Sequence, residues 1–308
     1  MGLVPQAALE ALERAVQEAL RSGDPRGLEL LGYGEITTVV RLRVEGRAFA
    51  CKRLAPFPDA EAARRTADCI RSYVEALEGH GVDVLETELG LVAGEGGSVV
   101  VHCVQPALPA EALGPAHLHG LAPDEGTRCA ERIFERLRGA VTPRLAPDGQ
   151  LSNWAFPGDR LVYLDVSTPF LRDERGRERF DFQHETRALP LPLRVVVDRF
   201  LLAGILESYY SLRGQARDFL GNLEKERLGA WIPRLLPLAN RVLALDPPLS
   251  REEVARHYAR DARTYAAIQA ARRADRWWQR RVLRRPYPYL LPPRIERHEG
   301  AHRPGRGG

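Results

Sequence analysis

Lysine is almost missing from this chain of 308 residues: of its 45 basic residues, all but Lys52 and Lys225 are arginine. The two cations are not interchangeable. A guanidinium is a broad planar fork, whereas an ammonium is a compact point charge on a flexible stem that reaches a phosphate in a crowded cleft. A sequence that has given up lysine nearly everywhere therefore lends weight to the position that keeps it. Lys225 stands in a polar, helix-like segment without evident chemistry, while Lys52 stands in a strand-like stretch behind a glycine-rich turn. Cysteine is scarce too. Cys51, Cys69, Cys103 and Cys129 are scattered, with no CxxC pair and no secretory segment, which argues against a disulfide framework and predicts reduced thiols in a cytoplasm. His117 and His119, the candidates nearest a zinc motif with Cys103, lack the paired spacing such a site needs. The longest apolar run, Leu189 to Leu206, is broken by Arg194, Asp198 and Arg199, charges that are costly in a bilayer core. A soluble, cytoplasmic protein is expected.

What is present is an ordinary globular composition, 44% hydrophobic with a net charge of +4, long enough for one two-lobed domain or two smaller ones. Leu9, Leu12, Val16 and Leu20 follow a helical period over Gln6 to Arg21, with Gly23 as its stop. Leu28 to Leu54 reads as a hairpin turning at Glu45-Gly46. A helix capped by Asp59 follows to Leu77, with Ala63, Ala67, Ile70, Val74 and Leu77 as its apolar stripe. Val84 to Val92 and Ser98 to Val104 read as strands, Asp124 to Arg138 as a helix, and Leu151 to Val166 as a compact hairpin turning on Pro157-Gly158-Asp159. The rest is mainly helical: Pro192 to Ser211, the region Trp231 to Ala244, and a helix opened by Ser250 and Glu253. The order predicts an α+β protein with a helical extension at residues 1–27, a small sheet lobe at 28–107, a larger helical lobe at 108–285 and a basic tail at 286–308.

Two constellations carry chemistry. Gly32-Tyr33-Gly34 runs into Ile36-Thr37-Thr38-Val39-Val40, a strand-favouring stretch. A dinucleotide or Walker loop would open a helix instead. A strand-turn-strand glycine loop suits a turn laid over nucleotide phosphates, and Lys52 follows on the far side of the hairpin. In the second constellation Asp148 precedes Asn153 by five residues and Asp165 follows it by twelve. Closing the intervening hairpin brings Asn153 beside Asp165, and an amide oxygen next to a carboxylate is a pair of hard ligands suited to magnesium. Asp148, in the turn just before, is placed to orient or deprotonate a hydroxyl. The same residues also suit a plain Pro-Asp-Gly turn and a capped strand end.

Taken together the motifs resemble the protein kinase-like superfamily over about Leu28 to Phe170. Gly32-Tyr33-Gly34 matches the glycine-rich loop, Ala50-Cys51-Lys52 the lysine strand, Asp148 to Asn153 the catalytic loop and Asp165-Val166-Ser167 the metal-binding segment. The resemblance implies a bilobal fold with a small antiparallel sheet and one main helix over a larger helical lobe. It further implies ATP and Mg2+ as cofactors, with Lys52 on the phosphates, Val104 and Gln105 at the hinge beside adenine, Asn153 and Asp165 on the metal and Asp148 on the acceptor. The helical ending, with no Ala-Pro-Glu motif after Asp165, looks more like the aminoglycoside and choline phosphotransferase branch than like a regulated protein kinase. Phosphotransfer from ATP to a hydroxyl of a small molecule is then expected, with Arg172, Asp173, His184 and Glu185 among the candidate contacts after Asp165. The pattern also departs from the family: Ala146 and Gln150 replace residues that flank the catalytic aspartate, and Ser167 replaces a glycine. A nucleotide-binding pseudokinase is the alternative. No acidic partner for Lys52 is evident, because Glu61, Asp68 and Glu75 lie roughly opposite the apolar stripe and Glu78 lies late.

Basic residues crowd the end of the chain. Arg272, Arg273, Arg276, Arg280, Arg281, Arg284 and Arg285 interleave with Trp277 and Trp278. That composition fits nucleic acid or an anionic membrane as partner, or a helix that docks its tryptophans on the large lobe and leaves its arginines in solvent. The docked arrangement is the expectation.

Overall fold

The computed structural model describes residues 2–33, 37–285, 287 and 289–291. Helix α1 (Gln6–Ser22) is closed by Gly23 in the left-handed conformation, as its sequence predicts. A five-stranded antiparallel sheet follows, built from β1 (Leu30–Tyr33), β2 (Thr38–Val44), β3 (Arg47–Arg53), β4 (Glu88–Ala93) and β5 (Val99–Pro106) in the order β1-β2-β3-β5-β4. Glu45 and Gly46 turn between β2 and β3 with φ of 50° and 77°, the doubly positive geometry that matches strand twist in a two-residue hairpin. Helix α2 (Ala60–Gly79) enters between β3 and β4, its first turn capped by Asp59 through the Ala62 N–H.

Strand alternation decides what each face of this sheet does. Phe49 and Cys51 of β3 and Val104 of β5 point to the α1 side, where they pack with Leu9, Leu12, Val16 and Leu20. Val101 and Cys103 point the other way, into a core shared with Ile70, Tyr73 and Leu77 of α2. Lys52, opposite Cys103 in register, lies on this second side. The same core continues without a break into the helical part through Leu137, Trp154, Phe219 and Leu235.

The helical part contains α3 (Gly114–His119), α4 (Pro123–Ala140), α5 (Phe182–Thr186), α6 (Leu191–Val196), α7 (Leu202–Tyr209), α8 (Leu212–Lys225), α9 (Ile232–Val242) and α10 (Arg251–Arg281). Four two-residue strands form two small ladders, β6 (Leu145–Ala146) with β9 (Phe170–Leu171) and β7 (Trp154–Ala155) with β8 (Val162–Tyr163). The result is a mixed α+β protein with an antiparallel-sheet part ahead of a helical part, the layout the motifs imply. Three elements differ from expectation, the first being β4, foreseen from Val84 but starting at Glu88. The helix foreseen at 192–211 is interrupted by a π-helical stretch, Val197–Leu201, between α6 and α7. Strand β5 runs to Pro106, past the foreseen end at Val104. Among the described residues no helix is long and apolar enough to cross a membrane.

Candidate active site

Residues from three distant stretches converge beneath the sheet. The Lys52 Nζ donates to Asp165 Oδ1 at 2.8 Å, and both side chains are only partly exposed. Asp165 is therefore the acidic partner that the sequence left unassigned. Glu61, Asp68, Glu75 and Glu78 on α2 are all exposed, and α2 instead sends Tyr73 inward, where its hydroxyl donates to the Ala146 carbonyl at 2.8 Å. The hydroxyl and N–H of Ser167 also donate to Asp165 Oδ1, at 2.8 and 3.2 Å. Burial pushes the Asp165 carboxyl up, but the Lys52 charge and the bonds from Lys52 and Ser167 outweigh it and hold the group below its ordinary value. Among the described residues these donors all meet Oδ1.

The hairpin closes as predicted and brings Asn153 opposite Leu164, the residue before Asp165: Trp154 pairs with Tyr163, and the Leu164 N–H donates to the Asn153 carbonyl at 2.8 Å. Its Nδ2 faces the Asp148 carbonyl at 3.5 Å. Asp148 is fixed through its backbone, whose N–H donates to the Tyr163 hydroxyl at 2.9 Å, while its Oδ1 accepts from the Gln150 N–H at 3.1 Å. Burial, then the nearby charge of Asp218, push the Asp148 carboxyl up to about 8; the Gln150 N–H pulls it down, Asp165 adds a smaller push and Lys225 a smaller pull still. The second lysine of the chain thus contributes to the field at this site.

Gln215 of α8 holds the loop that carries Asp148. Its Oε1 accepts from the Gly149 N–H at 2.7 Å, and its Nε2 donates to the carbonyls of Pro147 at 2.8 Å and Tyr209 at 2.7 Å. A Cβ at position 149 would sit 2.5 Å from that Oε1, so a side chain there would have to displace the Gln215 amide. Sequence reasoning missed Gln215 and Tyr73. Both act through backbone 66 to 73 residues away, and an isolated glutamine or tyrosine on a helix gives no local signal of such a role.

The candidates after Asp165 separate clearly. Arg172 is bound to Glu178 at 2.7 Å and Glu207 at 2.6 Å and lies over the Tyr210 ring, and Asp173 closes a turn with Arg177. His184 stacks on Phe57 with ring centroids 4.0 Å apart and faces the Ala55 carbonyl. Glu185 is the one that reaches the site's field: burial pushes its carboxyl up to about 7, Lys52 pulls it down, and Asp165 and Asp181 push it up.

Of the residues expected at the phosphates and the adenine, Gly32, Tyr33, Val104 and Gln105 are described. Gly32 and Tyr33 end β1 opposite Val39 and Thr38, while Gly34 lies outside the described residues. Val104 is buried and in register with Cys51 on one side and Glu88 on the other. Gln105 donates through Nε2 to the Thr87 hydroxyl and to the Leu164 carbonyl, both at 2.8 Å, and so ties the strand end to the residue before Asp165. His117 and His119 serve packing and a backbone contact, respectively. Among the described residues no group of three His, Cys, Asp or Glu side chains is arranged to hold a metal.

A profile of the family of unknown function DUF6206 matches residues 11–276. The chain belongs to the DUF6206 family. No curated protein matches its sequence. Solved structures similar to this DUF6206 member include WaaP in complex with acyl carrier protein, at 17% identity and a TM-score of 0.35, covering 79% of this chain and 99% of that one. The Mycobacterium tuberculosis PknI kinase domain is similar at 18% identity and a TM-score of 0.34, covering 70% and 85%.

Proposed function

We propose that this DUF6206 protein is an ATP-dependent phosphotransferase acting on a hydroxyl of a small molecule. The reading is carried by the 2.8 Å bond between Lys52 and Asp165, which joins β3 to a loop 113 residues later with Asn153 and Asp148 alongside. Lys52 would hold the α and β phosphates, the turn at Gly32, Tyr33 and Gly34 would cover them, and the strand end at Val104 and Gln105 would border the adenine. Asn153 and Asp165 would hold magnesium. The donor set fits that ion, which is commonly bound by one or two protein oxygens together with substrate phosphates rather than by a full protein cage. Bound there, the magnesium nucleotide supplies the phosphoryl group and neutralises part of its charge.

The chain's own residues supply placement, which is most of what this chemistry asks of a protein. Lys52 presents a cation already positioned by Asp165. Ser167 fixes the Asp165 carboxylate, while Tyr73 and Gln215 hold the backbone from 146 to 149. Asp148 accepts the proton of the acceptor hydroxyl once its own carboxyl is ionised. The test is nucleotide turnover: slow magnesium-dependent release of ADP, abolished by Asp148→Ala with binding retained, is expected. Absence of any thermal shift with any nucleotide overturns the reading.

A second reading is a nucleotide-binding module without transfer. It is favoured by Ala146 and Gln150 in the loop and by an Asp148 carboxyl raised to about 8, so that it is mostly neutral near pH 7. Background hydrolysis unchanged by Asp148→Ala, with ATP still bound, would select it.

A further inference from the structure

The arginine-rich end of α10 turns out with its faces reversed. Arg272, expected in solvent, is 1% exposed, whereas Trp277 and Trp278, expected against the large lobe, are 60% and 50% exposed. The cause lies in what covers the inner face. Residues after the helix fold back so that Arg272 lies 5.5 Å from the Tyr289 ring centroid, with Tyr287 buried beside it. One face further on, Arg280 Nη2 donates to the carbonyls of Arg21 and Ser22 at 3.3 and 3.1 Å, which lie at the C-terminal end of α1, where a cation satisfies both the open carbonyls and the helix dipole. The arginines of the inner face are thus spent within the protein.

At about 100° per residue, Trp277, Arg281, Trp278 and Val282 follow one another around the opposite face. Val282 and Leu283 are 46% and 47% exposed, and Arg281, Arg284 and Arg285 are exposed beside them. We propose that this outer face, Trp277, Trp278, Arg281, Val282, Leu283, Arg284 and Arg285, is a docking surface for an anionic phospholipid membrane. Indole rings favour the boundary between headgroups and acyl chains, and guanidinium groups bind lipid phosphates by charge-assisted hydrogen bonds. The two aliphatic residues select a membrane over a nucleic acid, because valine and leucine offer bases no ring to stack on. Residues 292–308 do not complement the patch in charge, since they hold Arg294, Arg297, Arg303 and Arg306 against Glu296 and Glu299.

The experiment is co-sedimentation of the full chain with vesicles of phosphatidylcholine alone and of phosphatidylcholine mixed with phosphatidylglycerol, at low and high salt. Binding to the anionic vesicles alone, weakened by salt and accompanied by a blue shift of tryptophan emission, is expected. Trp277→Ser with Trp278→Ser should lower partitioning about tenfold and abolish the blue shift, because the remaining Trp154 and Trp231 lie in the protein body. Replacing Arg281 and Arg284 by serine should lower it about fivefold per residue, with the melting temperature of each variant confirming the fold. No binding to anionic vesicles at low salt overturns the proposal. So does binding that the tryptophan variant retains in full, or a tryptophan-dependent dimer or oligonucleotide complex formed in place of vesicle binding.

Discussion

Lys52 and Arg53 are neighbours on β3 and differ in everything that follows from pointing to opposite faces of the sheet. Arg53 enters the α1 side, where Nε and Nη2 each donate to Glu13 at 2.8 Å and both side chains are almost fully buried. His102 Nε2 lies 3.1 Å from the same carboxylate. Lys52 enters the cleft side, makes one bond to Asp165 and keeps a fifth of its side chain exposed. The fork closes a saturated, buried pair whose job is to fasten α1 to the sheet. The point charge makes a single replaceable contact in an accessible place. Arg53 fastens structure, whereas the ligand role proposed for Lys52 would account for the amine kept at position 52 in a chain so rich in arginine.

The sharpest way to break this contrast is on the cleft side. Asp148→Asn should lower phosphotransfer roughly 10²–10⁴-fold while raising the melting temperature in alkaline buffer. The sign follows from the raised carboxyl: its folded value of about 8 exceeds the ordinary 3.8, so the native state holds the extra proton and its stability falls as pH rises between those values. By the same token kcat/KM of the intact protein should climb with pH through about 8, and a flat profile there would contradict the assignment of Asp148 as base.

On the buried side, Arg53→Ala should cost about 3–5 kcal/mol in chemical denaturation, because it strands the Glu13 carboxylate in the core. Molecules that remain folded should still bind nucleotide. A variant as stable as the parent would remove the distinction between the two faces. Gln215→Ala, which frees backbone groups at 147, 149 and 209, should cost about 1–3 kcal/mol and reduce kcat more than it raises KM. The smallest effect expected is in acid. Despite burial, which pushes it up, Glu13 is held at about 2 by its bonds to Arg53 and His102 and by the Arg53 charge, against an ordinary 4.5. That stabilisation is complete above pH 4.5 and is lost as pH falls toward 2, so Glu13→Gln should show a flatter acid limb in its unfolding profile.

Local rules read the sheet part well. The Glu45-Gly46 turn, the Asp59 cap, the Gly23 stop and the four apolar positions of α1 all stand where period and turn chemistry put them. The pairing that brings Asn153 opposite Leu164, one residue before Asp165, was legible because one short hairpin joins them. What was not legible depends on distant parts of the chain. The Lys52 partner, the grip of Gln215 and Tyr73 on the backbone from 146 to 149 and the electrostatic surroundings of Glu185 are all set by tertiary contacts. The orientation of Trp277 and Trp278 failed for a related reason: an amphipathic pattern of arginine and tryptophan defines two faces of a helix but not which one the rest of the protein covers. Here Tyr287 and Tyr289 make that choice.

The central claim, that Lys52 and Asp165 form a magnesium-nucleotide site, is tested most directly by thermal unfolding with and without magnesium ATP in the intact chain and in Lys52→Met. The account predicts that the intact chain gains about 2.7 kcal/mol at a hundredfold excess over the dissociation constant, and that Lys52→Met, folded without ligand, gains almost nothing. An intact chain indifferent to the nucleotide, or a Lys52→Met variant stabilised as fully as the parent, would contradict it.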